Sequence, residues 1–182
     1  MLKILSPTGE VFPYIENAKK YLRAGADANV ADYFVEVRNP QVPVQIVWDY
    51  SGKKAQKFLV EYATREDFAD GISVEVSGET RSLDVYNLYK ASNYFMRITA
   101  FDKDGRVLER AFGEFQTTSL GPRVMNFDGI CNVRDFGGYE TMDGKKIVQG
   151  IAYRGGSVTP LPRNPLDTTI MRLRAAFHSV SI

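Results

Sequence analysis

From residue 44 onward, hydrophobic and polar positions alternate in short runs. Val44, Ile46 and Trp48 share one face, and Phe58, Val60 and Tyr62 repeat it after a Ser51-Gly52-Lys53-Lys54 turn. Ile72, Val74 and Val76 form another run closed by Ser77-Gly78, and Leu83 and Val85 a short one. Tyr94, Met96 and Ile98 open a longer run whose opposite face carries Phe95, Arg97 and Thr99; past Asp104-Gly105, the run Ala111, Gly113, Phe115 leads back to Thr117-Thr118. A period of two, repeated in short strands between turn residues, predicts an antiparallel sandwich. Earlier in the chain the rhythm differs. Residues 5–10 read as an extended opening with a turn. Tyr14, Ile15, Ala18, Tyr21 and Leu22 have helical spacing and stop at Gly25, which predicts a short helix over 14–24. Tyr33, Val35 and Val37 return to the strand period until Pro40 and Pro43 interrupt it, as at a sheet edge.

Composition narrows the class. The 182 residues suit one domain and part of another. Lys and Arg number 23 against 22 Asp and Glu, so no broad cationic surface is implied and nucleic acid is not an expected partner. Tyr and Phe are abundant, which favours β structure with a well-filled core. No run approaches the ~20 apolar residues of a membrane span. Met1 to Leu5 is too short an apolar run for a signal peptide, and Pro7 and Gly9 end it. The compartment stays open: cytoplasmic by default, exported if a leader was removed. One cysteine, Cys131, excludes an intrachain disulfide.

Two resemblances organise the rest. Trp48 on an early strand, Leu88 followed by Tyr94, then Arg97-Ile98 and a closing Phe115-Gln116-Thr117-Thr118 resemble a fibronectin type III domain over residues 40–118. That likeness implies a tyrosine corner of Leu88 and Tyr94. The helical stretch within the first 35 residues departs from the family and leaves the position of the first strand open. Farther on, Asn132-Val-Arg134-Asp135-Phe-Gly137-Gly138-Tyr139 leads through the Asp143-Gly144 turn to Gly150-Ile-Ala-Tyr153-Arg154. This resembles the opening of the bacterial tyrosine-phosphatase family, with Phe136 standing where the family carries an aliphatic residue. The resemblance implies hydrolysis of phosphate monoesters through a cysteinyl-phosphate, acting on a phosphorylated protein or small phosphate ester in the intact relative. The expected fold is mainly β: a fibronectin type III-like antiparallel β-sandwich followed by the first β-hairpin of a truncated α/β phosphatase domain. Residues 1–118 are read as the sandwich with its helical insertion, 119–125 as a linker and 126–156 as the phosphatase-like piece. Residues 157–182, with Pro160, Pro162 and Pro165 crowded together, are read as an atypical tail, disordered or the product of a frameshift.

The chemistry such a family needs is a thiolate with an Arg six positions later, so that the intervening backbone N–H groups and the guanidinium hold the phosphate. Cys131 fails this test, because position 137 is Gly. It reads as a structural thiol within the leading motif, so no catalytic residue is assigned and no turnover is expected from these residues alone. For Asn132, Arg134, Asp135, Gly137, Gly138, Tyr139, Tyr153 and Arg154 two readings stand: scaffolding, or a place beside the phosphate pocket of an intact enzyme. Asp102-Lys-Asp104-Gly105 mimics a haloacid dehalogenase motif, but the chain runs on into another strand, and a hairpin turn explains it. His178 is the only histidine and has no partner placed by any motif. Glu66, Asp67 and Asp70 read as a solvated loop. No metal site and no cofactor are expected. The competing function is a non-enzymatic fibronectin-like module that binds a protein or carbohydrate partner.

Overall fold

The computed structural model describes residues 1–33, 41–127 and 130–156, with Ile130 and Cys131 described by their backbone alone. The strand expected around Val35 and Val37, the tail from residue 157 and His178 lie outside the described residues. The rest is mainly β and divides into two compact units.

The first unit comprises residues 1–13, 43–85 and 91–118. Its strands are β1 (Leu2–Ser6), β2 (Gly9–Val11), β3 (Val44–Tyr50), β4 (Lys57–Ala63), β5 (Ile72–Ser77), β6 (Ser82–Val85), β7 (Asn93–Phe101) and β8 (Val107–Thr117). β1, β3 and β6 form one sheet, and β2, β8, β7, β4 and β5 the other. All neighbours pair antiparallel except β2, which runs parallel to β8. The alternating residues meet as expected for a sandwich. Ile46 and Trp48 from one sheet and Phe58, Val60, Met96 and Ile98 from the other are fully buried. The Trp48 ring meets the Phe58 ring edge-on at 5.6 Å, joining the two sheets. Tyr94 stacks on Phe115 at 5.2 Å.

The first strand lies before the helical stretch: Leu2 to Ile4 pair with Tyr50 to Trp48. The helix is therefore an insertion between β2 and β3. The face expected of Ile72, Val74 and Val76 is only partly covered, because β5 is an edge strand and Ile72 is exposed. Asp102 sits at a hairpin turn, its carboxylate accepting from the backbone of Asp104 and Arg106, as the simpler reading of that motif requires.

The second unit comprises residues 14–42, 86–90 and 119–182, of which the described part holds α1 (Glu16–Ala24), β9 (Arg123–Phe127), β10 (Ile130–Asp135) and β11 (Tyr153–Arg154). The helix starts two residues later than its pattern predicts and ends at Gly25, whose φ of 90° is readily available only without a Cβ. The three strands form one antiparallel sheet in the order β11-β10-β9. Met125 and Val133 are its small core, with Phe127 and Tyr153 packed against them. The residues around Asp143-Gly144 form the expected hairpin: Glu140 bridges Lys146, Gly144 has φ 78°, and the Ile147 amide donates to the Tyr139 carbonyl at 2.9 Å.

Candidate functional site

The phosphatase-like motif is organised around Asp135, whose side chain is fully buried at the end of β10. A carboxylate removed from water needs compensation at every lone pair. One oxygen accepts from the Gly137 amide at 2.7 Å. The other accepts from the Gly150 amide at 2.8 Å and from Arg123 Nη1 at 2.7 Å. Asp135 thus ties the strand end to both ends of the hairpin that follows.

Arg123 is the counter-charge, and it too is buried. Its Nε donates to the Leu88 carbonyl at 2.9 Å and its Nη2 to the Asn87 carbonyl at 2.6 Å. The guanidinium lies 4.1 Å from the centre of the Tyr89 ring. Asn87, at φ 62°, completes the frame: its side chain accepts from the Asn126 amide at 2.6 Å and donates to the Asn126 carbonyl at 3.2 Å. Lys90 is buried as well. Its Nζ donates to the Gly121 carbonyl at 2.6 Å and lies 4.4 Å above the Tyr139 ring. Burial first, and Lys146 second, hold the Lys90 ammonium below its ordinary pKa. The backbone of Lys90 exchanges two 2.9 Å bonds with the Gln149 side chain.

The glycines of the motif are required by close approach. A Cβ on Gly137 would lie 2.3 Å from the Val148 carbonyl oxygen and 2.4 Å from Gln149 Cα. Gly138 has φ 80° and would meet the Lys90 side chain at 2.7 Å. Tyr153 packs against the small core, and burial raises its pKa. Tyr139 is partly exposed. Asn132 sits at the irregular register of β10 with φ 58°, and its Oδ1 accepts from Arg134 Nε at 2.9 Å.

Arg134 and Arg154 stand directly opposite one another on β10 and β11. Like charges so paired repel, and neither makes an ion pair with a described residue. Tyr14 is nearby: its hydroxyl donates to the Pro122 carbonyl. Burial and Tyr139 push the Tyr14 pKa up, while Arg134 opposes them.

The eight sequence-predicted residues thus gather in one sheet and hairpin, with Asp135, Gly137 and Gly138 inside it and Asn132, Arg134 and Arg154 at its surface. Sequence reasoning missed Arg123, Asn87, Lys90 and Gln149. Arg123 stands within the stretch read as a linker, yet it opens β9. The available signal was one charged residue leading directly into Val124-Met125. Cys131 lies on β10, and its side chain is outside the description. Among the described residues, no group of His, Cys, Asp and Glu could hold a metal ion, and no helix is long and apolar enough to cross a membrane.

Among solved structures, the crystal structure of the chicken CNTN1 FN1–FN3 domains is similar at 19% identity and a TM-score of 0.33, over 45% of this chain and 29% of that one. The chain therefore spans less than a third of that structure's length. No curated protein matches the sequence. Residues 125–173, which include all eight motif positions, match the sequence model of the tyrosine phosphatase family.

Proposed function

We propose that residues 126–156 are the front of a tyrosine-phosphatase-like domain, preceded within 1–118 by a fibronectin type III-like sandwich built from residues 1–13, 43–85 and 91–118. In the intact relative this domain would hydrolyse phosphate monoesters, on a phosphorylated protein or a small ester. The 182 residues themselves supply no Cys-x5-Arg loop and turn nothing over. The observation that carries the reading is the family match over 125–173, on a segment whose Asp135 is consumed in structure rather than left free for chemistry.

Within this reading the motif divides by role. Asp135, Gly137 and Gly138 are scaffolding, because their polar groups and close contacts are satisfied internally. Arg134 and Arg154 are the residues suited to face an anion, since a phosphate between two opposed guanidiniums would relieve their repulsion. Asn132 positions Arg134 through its 2.9 Å bond. The test is to read the coding locus past codon 182 in all three frames. A Cys-x5-Arg loop followed by a helical pattern is expected within the length of one further domain. Three frames without that loop would overturn the proposal.

A further inference from the structure

The outer face of the five-stranded sheet carries a second feature, independent of the phosphatase reading. Cross-strand register places Phe95 opposite Glu114 and Arg97 opposite both Phe112 and Glu61. With Phe68 and Glu66 from the β4–β5 loop, these residues line a groove of about 430 Å³. That volume falls within the range of pockets that take small ligands or side chains.

The groove is apolar at its base and negative at its margins. Phe112 is 67% exposed, unusual for a phenylalanine in the middle of a paired strand. Arg97 does not supply a free positive charge. Its Nε and Nη2 both donate to Glu61 at 2.6 Å, and its guanidinium already lies over the Phe68 ring at 4.4 Å. Glu66 and Glu114, by contrast, have no ion-pair partner among the described residues. The lining therefore offers phenylalanine rings and two uncompensated carboxylates. An occupant that satisfies both carries a cation next to an apolar group. A neutral glycan would hydrogen-bond these exposed carboxylates without neutralising their charge, and an acidic segment would be repelled.

We infer that this groove docks a short segment of a partner protein in which a Lys or Arg stands beside an apolar side chain. The test uses the full 182-residue chain to select from a phage-displayed peptide library, and then measures affinities of the enriched peptides by fluorescence anisotropy. Enriched peptides are expected to pair a basic residue with an apolar one. Their binding should weaken about tenfold or more with Phe112→Ala and with Glu114→Lys, as for central interface residues. Replacing the basic residue of the peptide by Glu should abolish binding to the natural chain and restore it to Glu114→Lys. Both substituted positions are exposed, so melting temperatures should be unchanged; if one variant fails to fold, the other decides. Selection of neutral or acidic peptides, absence of enrichment, affinities unaltered in the variants, or Phe112-dependent binding on a glycan array in place of peptide binding would each overturn the inference.

Discussion

Replacing Asp135 by Ala tests how the motif is held. The substitution removes the acceptor of three donors at once: the Gly137 amide, the Gly150 amide and Arg123 Nη1. Arg123 keeps its bonds to the Leu88 and Asn87 carbonyls but loses its only carboxylate partner among the described residues, inside a site where it is 7% exposed. Breaking a buried pair by removing one partner costs about 3–5 kcal/mol. Each orphaned amide carries a further penalty of about 1–3 kcal/mol when no water reaches it, but such neighbours do not add simply. We therefore expect a loss of about 3–5 kcal/mol, against a typical domain stability of roughly 5–15 kcal/mol. The assay is urea unfolding followed by far-UV circular dichroism, with hydrogen exchange at the Gly137 and Gly150 amides. Protection there should fall on the order of 100-fold or more. Trp48 fluorescence reports the sandwich unit separately, because that ring is buried within it. Asp135→Asn should recover only part of the loss, since its amide presents hydrogens toward donors. A cost below about 1 kcal/mol for Asp135→Ala, with protection retained at both glycines, would refute the reasoning.

Three further outcomes follow from the same geometry. Asn87→Gly keeps the positive φ but loses both side-chain bonds to Asn126, so denaturant unfolding should show a loss of about 1–3 kcal/mol. Gly137→Ala places a Cβ against the backbone of Val148 and Gln149 and should destabilise by about 1–3 kcal/mol, with amide chemical shifts moving through residues 147–150 in NMR spectra. The bond from Arg65, followed by the Ala69 amide, holds the Asp67 carboxyl down at about 2; its folded pKa lies below the unfolded value, so the interaction is present above the usual carboxylate range and is lost as pH falls toward 2. Carboxyl-carbon NMR should show that low midpoint, and Arg65→Ala should return it toward the ordinary range.

The sandwich was legible because its core strands are covered on one face and alternate strictly: Ile46, Trp48, Phe58, Val60, Met96 and Ile98 all occupy predicted positions. β1 was harder to read. Its burial alternates, but Leu5 falls on the exposed side and Ser6 on the covered side, so the residue types mask the period over five positions. The start of the second unit was obscured for a different reason. Gly121-Pro122 reads as a break, and a charged Arg123 after it suggests solvent, yet a buried carboxylate twelve residues later draws that charge inside. Pairing at such a distance leaves no periodic trace. The role of Asp135 was likewise undecided between scaffold and pocket, because the motif gives its identity and spacing but not the direction of its lone pairs. Lys90 and Gln149 meet through backbone and side-chain bonds across 59 positions, and nothing in their local sequence marks them.

Asp135 builds the motif into structure, and these 182 residues hold no Cys-x5-Arg loop. Hydrolysis of p-nitrophenyl phosphate and of a phosphotyrosine peptide by the 182-residue chain, compared with its Cys131→Ser variant, tests this most directly. The prediction is turnover no greater than buffer for both proteins. Hydrolysis that the natural chain performs and the Cys131→Ser variant loses would contradict it.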